Sequence, residues 1–178
     1  VYSLRCGMKM LGEKITRSYK GATFGHHVRP ELKDFLTAYL TKRKENPEVN
    51  ECREDKALLV NGRVLFCEDC ARKMPIEGSD AIYVKGDVVI AARLSGENLA
   101  KVDWNRPITL DRLPGADRVE MDCPIIEYPW DLVHHNPDEI VREFKIYAKS
   151  GESLGKVYDG VHILGKENVF VADGAKVK

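Results

Sequence analysis

The clearest hydrophobic pattern in the chain is the unbroken apolar run Ala57–Val60. A run without polar alternation is typical of a strand covered on both faces, so we predict an interior strand of an α/β sheet here. The residues Asn61–Arg63 then predict a tight turn, and the apolar run Val64–Phe66 leads into a helix start at Cys67. Because ligands of such sheets bind at the carboxyl ends of the strands, this turn is the first place to expect a site.

Three segments have the spacing of apolar residues that an amphipathic helix requires. The first helix is predicted over Lys9–Tyr19, and the second over Glu31–Lys44, which follows Pro30 as a favourable first residue. The third is predicted over 136–149, because Asn136 provides a capping side chain in front of Pro137. The apolar positions are Met8, Leu11, Ile15 and Tyr19 in the first helix; Leu32, Phe35, Leu36, Tyr39 and Leu40 in the second; and Ile140, Val141, Phe144 and Tyr147 in the third.

Two further stretches have the composition of strands. Ala81–Lys85 and Asp87–Leu94 are rich in Val and Ile, and Gly86 separates them, so we predict a hairpin. The connection that follows is expected to be rich in loops, with one edge strand near Val119.

The last segment changes character, because apolar residues are separated by small and polar ones over Leu164–Val177. Val171 lies six residues before the end of this range, with Gly174 and Ala175 between, which is the spacing of a hexapeptide β-helix. Solenoids of this type need about three repeats or more. We therefore expect this segment to need further coils or the preceding domain for its stability.

Composition and charge narrow the class of protein. The 178 residues suffice for one well-buried domain with a smaller appendage. Lys and Arg number 28, as do Asp and Glu, so a formal charge of zero gives no general attraction to nucleic acid or anionic membranes. No apolar stretch is long enough to span a bilayer, and no secretory signal is visible, so we expect no membrane partner. Five cysteines are poor material for a secreted disulfide framework, which favours a cytoplasmic location.

Both ends of the chain bear on its completeness. The sequence opens on Val1 in a β-prone run and closes at Lys178 inside the repeating pattern. We therefore expect it to be a portion of a longer protein.

Two pairs of residues could suggest a metal. Cys67 and Cys70 form a C-x-x-C pair, but a closed zinc site needs four ligands and no second pair has that spacing. We expect buried or half-buried thiols there, with neither zinc nor a disulfide between them. His26 and His27 point to opposite sides of an extended segment, so we expect a solvated loop rather than a joint metal site.

Arg5 and Gly7 lie between a strand end predicted at Val1–Leu4 and the first helix. A strand-to-helix turn presents free backbone N–H groups at a positive helix end, so this position suits an anion. The sequence alone favours the plainer alternative, in which Arg5 is an ordinary surface residue of a turn.

Scattered motifs over nearly the whole chain carry a resemblance to a known family. The stretches are Val1–Gly7 followed by Glu13–Lys14, Leu58–Val64, Val88–Leu94, and Trp130–Val133. They resemble sugar nucleotidyltransferases related to the N-terminal domain of the bifunctional N-acetylglucosamine-1-phosphate uridylyltransferase/acetyltransferase. The resemblance implies a Rossmann-like, layered α/β domain over 1–124 that is incomplete at its N-terminus. A linker helix region over 125–150 and the first coil of a left-handed hexapeptide-repeat β-helix over 151–178 would follow.

The resemblance also implies a site. Enzymes of this kind have a Gly-rich loop and a Lys that contact the nucleotide phosphates, which here would precede Val1 or fall near it. They also place a Mg²⁺-binding Asp after a Gly at the end of the central strand, where this chain has Asn61, Gly62 and Arg63. The residues implied for substrate binding are Arg5, Gly7, Asn61, Gly62 and Arg63. Arg5 and Arg63 would bind phosphate and Asn61 a sugar or ribose hydroxyl, while the catalytic residues are not identified.

Two hypotheses follow from this resemblance. The first is a transferase that makes a nucleotide sugar and pyrophosphate from a nucleoside triphosphate and a sugar 1-phosphate. It implies Mg²⁺ in the full-length protein, although no metal ligand is evident in this stretch, since Arg63 cannot hold a cation. The second is a ligand-binding or scaffold domain without turnover that supports a β-helical acyltransferase half. A Gly-rich loop at the full-length N-terminus would favour turnover. Either way the expected partner is a nucleotide or sugar phosphate, and a β-helix implies a homotrimer.

Overall fold

The computed structural model describes residues 3–43, 45 and 48–178, and the chain divides into two compact units. The first unit comprises the residues up to Leu4 together with Leu11–Glu127, and the second comprises Arg5–Met10 together with Tyr128–Lys178. The division into 1–124, 125–150 and 151–178 stays a prediction. Among the described helices, none has the length and apolar character needed to span a membrane.

In chain order, the strands of the described residues are β1 Arg5–Cys6, β2 Lys9–Met10, β3 Lys56–Val60, β4 Ala81–Lys85, β5 Val88–Ser95, β6 Asp117–Glu120, β7 Lys156–Val157 and β8 Lys176–Val177. The α-helices are α1 Leu11–Ser18, α2 Lys33–Lys42, α3 Glu68–Lys73, α4 Gly96–Ala100 and α5 Asp131–Tyr147. Short 3₁₀ turns cover Pro30–Leu32, Leu110–Arg112 and Lys166–Asn168.

The first unit is built on a four-stranded mixed sheet in the order β3-β5-β4-β6. β4 and β5 form the predicted hairpin, which turns at Gly86 with a φ of 57°. β3 pairs antiparallel with β5, and β6 pairs parallel with β4 at the far edge, which confirms the edge strand predicted near Val119. This mixed α/β arrangement fits a nucleotidyltransferase-like domain.

Two apolar clusters cover the two faces of the central strands. Along β4, Ala81 and Tyr83 belong to one cluster, whereas Ile82 and Val84 belong to the other. All four side chains are buried because successive residues of a strand point to opposite faces. The strands with cover on both faces and partners on both sides are therefore β4 and β5.

The prediction that Ala57–Val60 forms an interior strand is wrong within the described part of the chain. β3 pairs with β5 alone, so it lies at the edge of the sheet. Its side chains still alternate between the clusters, because Leu58 packs on one and Leu59 on the other. The apolar run correctly predicted that side chains cover both faces of this strand. It carries no information about which strands pair with it through the backbone in the plane of the sheet.

The helices of the first unit follow the predicted spacing with shifted boundaries. α1 begins at Leu11 rather than Lys9, because Lys9–Met10 forms β2. The second predicted helix starts as a 3₁₀ turn and becomes α-helical at Lys33, while its predicted end at Lys44 lies outside the described residues. Of its apolar positions Leu40 is buried, whereas Phe35 is 71% exposed.

The second unit begins with a short hairpin of β1 and β2. The predicted strand at Val1–Leu4 therefore differs from the structure: Val1 and Tyr2 lie outside the described residues, and Ser3 and Leu4 form a turn. The strand Arg5–Cys6 occupies what was predicted to be a strand exit loop.

The helix predicted to start at Asn136 instead runs without interruption over α5 and contains Pro137. The helix begins at Asp131, whose Oδ2 accepts a hydrogen bond from the N–H of Tyr128 in the preceding turn at 2.8 Å. Asn136 does not cap the helix, because its Oδ1 accepts a hydrogen bond from the Gly7 N–H at 2.7 Å. The Asn136 side chain, which the local sequence predicts as a helix cap, is therefore used in a tertiary contact with Gly7 instead.

The last segment returns on itself in parallel pairing. Ser153 forms a bridge with Val171, and Lys156 pairs with Lys176, so partners are 18 and 20 residues apart. Gly155 lies between these positions with no room for a side chain, since a Cβ would lie 2.6 Å from the Ala175 carbonyl oxygen. One such pairing does not establish the repeats or the handedness of a β-helix, which stays a prediction.

Candidate functional site

The carboxyl ends of three strands meet at one edge of the sheet in the first unit. β3 and β4 both run antiparallel to β5, and β6 runs parallel to β4, so β3, β4 and β6 share one direction. The turns that follow them carry Arg63, the loop at Gly86 and the segment starting at Met121. Ligands of open α/β sheets bind at this kind of edge.

The turn after β3 is held by the backbone and the side chain of Asn61. The Asn61 N–H donates to the Ile90 carbonyl at 2.9 Å, and the Val64 N–H donates to the Asn61 carbonyl at 3.0 Å. The Asn61 Nδ2 donates to the Val89 carbonyl at 2.8 Å, and its Oδ1 accepts the Arg63 N–H at 3.0 Å. The predicted tight turn is present, with Gly62 and Arg63 at its centre. Both polar atoms of the Asn61 side chain already act in holding the turn.

The backbone on the other side of Arg63 is joined to the segment that follows β6. The Ile126 N–H donates to the Arg63 carbonyl at 2.8 Å, and the Leu65 N–H donates to the Pro124 carbonyl at 2.9 Å. Val64 and Leu65 are buried. The backbone at Arg63 is therefore fixed from both sides, so that its side chain projects from a defined position.

The Arg63 side chain is half-buried, and its guanidinium makes no hydrogen bond or ion pair with any residue in the described part of the chain. Three other charged residues of this edge have partners: Lys85 Nζ lies 3.2 Å from Asp122 Oδ1, and the Gly86 N–H donates to Glu120 Oε1 at 2.9 Å. A planar guanidinium that keeps its donors can bind a phosphate through two parallel hydrogen bonds. Arg63 is therefore the residue of this turn whose side chain has the chemistry for an anion, and phosphate binding by it stays a prediction.

Sequence reasoning missed the part that Lys85 plays at this edge. Besides Asp122, Lys85 Nζ contacts the Cys123 carbonyl oxygen at 3.1 Å, so it ties the end of β4 to the segment after β6. Its position directly before the hairpin glycine was the available signal, but the pairing of β6 with β4 was needed to place Asp122 beside it.

Arg5 and Gly7 belong to the second unit, whereas Asn61, Gly62 and Arg63 belong to the first. The N–H groups expected to be free at Gly7 are occupied: Gly7 donates to Asn136, and the Met8 N–H donates to Glu143 Oε2 at 2.5 Å. The premise of a strand-to-helix turn is therefore wrong, because Gly7 closes the hairpin of β1 and β2.

The Arg5 side chain also has a partner within its own hairpin. Its Nη1 donates to the Met8 carbonyl at 2.5 Å, which matches the alternative of an Arg that belongs to a turn. Phosphate binding by Arg5 and Gly7 stays a prediction.

A protein-family model described as sugar nucleotidyl transferase matches residues 1–152 of this chain. The mixed α/β fold fits this match, which covers most of the chain. The chain belongs to the sugar nucleotidyl transferase family. A comparison with curated proteins found no match.

The turn after β3 does not fit a divalent cation. Mg²⁺ is bound through oxygen ligands, usually one or two carboxylates with substrate phosphates. At the end of β3 the Asn61 amide is committed to the turn, and the adjacent charge is the cation Arg63. Among the described residues, no three side chains of His, Cys, Asp or Glu are grouped as metal ligands. We therefore assign no step at this turn to a metal ion.

Proposed function

We propose that the protein acts as a sugar-phosphate nucleotidyltransferase. In this reaction the phosphate oxygen of a sugar 1-phosphate attacks the α-phosphorus of a nucleoside triphosphate. A new P–O–P link forms, the bond to the β-phosphate breaks, and pyrophosphate leaves. Membership of the sugar nucleotidyl transferase family supports the reaction class. The single observation that supports the place of binding is the Arg63 guanidinium, which keeps its donors at the carboxyl edge of the sheet.

In this proposal Arg63 and the turn that carries it have different roles. Arg63 binds a phosphate group of the nucleotide or of the sugar phosphate and offsets its negative charge. Asn61 and Gly62 shape the turn, and the hydrogen bonds of Asn61 fix the position from which Arg63 projects. Contact between Asn61 and a sugar or ribose hydroxyl, and contact between Arg5 and phosphate, are further parts of the proposal.

A second function is favoured by a specific observation at the same turn. Phosphoryl transfer relies on metal ions and positive charge around the phosphates, and the end of β3 carries no carboxylate to hold a metal. A domain of this kind would bind a nucleotide or sugar phosphate without turnover and support an acyltransferase half. In this second proposal the segment in which β7 pairs parallel with β8 opens a hexapeptide β-helix, and the β-helix assembles as a homotrimer.

The test combines binding with turnover on the complete protein. Isothermal titration calorimetry would use a panel of nucleoside triphosphates and sugar 1-phosphates, and pyrophosphate release would be followed with Mg²⁺ present. A charge-assisted hydrogen bond is worth about 1.5–3 kcal/mol. Arg63→Ala should therefore weaken binding roughly tenfold to a hundredfold, by the rule that about 1.4 kcal/mol is tenfold.

Arg53→Ala is the matched control, since Arg53 lies at the surface and pairs with Glu51 at 2.6 Å. This variant should bind as the wild type does. Pyrophosphate release that Arg63→Asp abolishes would support the transferase, whereas tight binding without release would support the scaffold. Equal binding by the wild type and Arg63→Ala would place the ligand elsewhere.

A further inference from the structure

Cys67 and Cys70 form a close pair of thiols at the start of α3. Cys67 is the residue that precedes the helix, with extended backbone angles, and Cys70 lies in the first turn. Their Sγ atoms are 3.2 Å apart and share a hydrogen bond. Since a disulfide has an S–S distance of about 2.05 Å, a shift of roughly 1 Å would bring the two sulfurs to bonding distance.

The two sulfurs differ in their access to solvent. Cys70 is 4% exposed and belongs to the core cluster that also contains Met74 and Cys123, whereas Cys67 is half-buried at the margin of this cluster. A dissolved reagent can therefore reach Cys67 first. Cys70 lies directly behind it, where it contacts the sulfur of Cys67 but is shielded from the reagent.

The protonation of the pair agrees with this difference. The hydrogen bond with Cys67 raises the pKa of the Cys70 thiol, and burial raises it further. Cys70 therefore keeps its proton near neutral pH. Burial also raises the pKa of Cys123, so this third thiol of the cluster stays protonated. A thiolate is the reactive form of cysteine, and the arrangement favours Cys67 as the sulfur that attacks.

We propose that Cys67 and Cys70 are a site of reversible oxidation by thiol–disulfide exchange with a low-molecular-weight disulfide. The Cys67 thiolate attacks one sulfur of the reagent, a mixed disulfide forms, and one molecule of free thiol leaves. Cys70 then loses its proton to solvent and attacks the Cys67 sulfur, and the second molecule of free thiol leaves. The pair loses two electrons and two protons, and the reagent disulfide gains them as its two thiols.

The site is independent of the residues proposed to bind phosphate. Cys67 follows the buried run Val64–Phe66, and neither thiol takes part in the hydrogen bonds that hold the turn at Arg63. Transient disulfides in reducing compartments are usually catalytic or redox-sensing. The exchange is therefore measurable whether or not the protein has transferase activity.

The test treats the folded chain with oxidised glutathione, blocks the remaining thiols with an alkylating reagent and maps the peptides by mass spectrometry. The wild type should lose two hydrogen atoms, yield a Cys67–Cys70 linked peptide, and return to the thiol form with dithiothreitol. Cys70→Ala should accumulate glutathione on Cys67, because no resolving thiol remains. Cys67→Ala should leave Cys70 unmodified. Cys52→Ala, which removes a half-exposed thiol elsewhere in this unit, should leave the exchange unchanged.

Three outcomes would overturn the proposal. The first is a wild type that retains glutathione on Cys67 to the same extent as Cys70→Ala, since Cys70 would then not resolve the mixed disulfide. The second is a wild type in which both thiols persist under conditions that modify Cys52. The third is linkage of Cys70 to Cys123 rather than to Cys67. If Cys70→Ala fails to fold, two measurements on the wild type test the proposal instead. The Cys67–Cys70 linked peptide should form, and an alkylating reagent should modify Cys67 of the folded protein before Cys70.

Discussion

The turn that carries Arg63 gives the sharpest prediction, because two hydrogen bonds of one side chain hold it. The Asn61 Nδ2 donates to the Val89 carbonyl at 2.8 Å, and the Asn61 Oδ1 accepts the Arg63 N–H at 3.0 Å. A neutral hydrogen bond contributes about 0.5–1.5 kcal/mol net to folding. Asn61→Ala removes both, so the free energy of unfolding of the first unit should fall by about 1–3 kcal/mol.

Asn61→Asp tests the two hydrogen bonds of this side chain separately. The new carboxylate keeps an acceptor for the Arg63 N–H, but it places an oxygen against the Val89 carbonyl oxygen instead of a donor. At neutral pH this variant should be less stable than Asn61→Ala, since a charged acceptor would face another acceptor. Folding raises the pKa of such a carboxyl above its value in the unfolded chain. The loss of stability of Asn61→Asp relative to the wild type should therefore become smaller at acid pH, because the protonated carboxyl can donate a hydrogen bond to the Val89 carbonyl.

The assay is urea unfolding combined with amide hydrogen exchange. In Asn61→Ala the Arg63 amide should exchange roughly tenfold to a hundredfold faster than in the wild type, as expected for a loss of about 1.4–2.8 kcal/mol. Asn105→Ala is the matched control, because Asn105 is exposed and its side chain makes no hydrogen bond in the described part of the chain. Surface substitutions of this kind usually change the free energy of unfolding by no more than about 0.5 kcal/mol. Unchanged exchange at Arg63 in Asn61→Ala would refute the reasoning, as would an Asn61→Asp variant of wild-type stability at neutral pH.

Three other changes test the structure elsewhere. Gly7→Ala should destabilise the second unit, because Gly7 has a φ of 72° and a Cβ would lie 2.6 Å from Glu143 Oε2. Faster proteolysis within 128–178 is the expected result, and unchanged resistance to the protease would contradict it. Gly155→Ala should loosen the pairing of β7 with β8, because its Cβ would lie 2.6 Å from the Ala175 carbonyl oxygen. Faster amide exchange over 151–158, with the sheet of the first unit unaffected, is the expected result. Burial lowers the pKa of His27, so its contribution to stability is present above the unfolded-state pKa of about 6.5 and is lost as the pH falls through the folded value. His27→Phe should flatten this pH dependence in urea titrations, whereas an unchanged slope would assign it to other groups.

The sequence by itself determined the two main turns, the apolar spacing of the helices and the family. Asn61 with Gly62, and Gly86 between two β-prone runs, specify turns through their own backbone preferences, and both turns are present. The spacing of apolar residues along α1 placed Ile15 and Tyr19, which directly follows the helix, against the same core cluster, because residues four apart lie on one side of a helix. Motifs spread over the chain suggested a nucleotidyltransferase, and the family match over residues 1–152 confirms the family.

Only the tertiary structure decided which strands are interior and which side chains remain available for a ligand. β3 and β4 both read as apolar strands, but their order in the sheet depends on pairing between distant segments, which the apolar pattern does not encode. A long-range contact recruited Asn136 to Gly7, and the fold left the guanidinium of Arg63 without a partner in the described part of the chain. Hydrogen bonds formed across the fold compete with those that local sequence predicts, and their outcome depends on which segments the fold brings together.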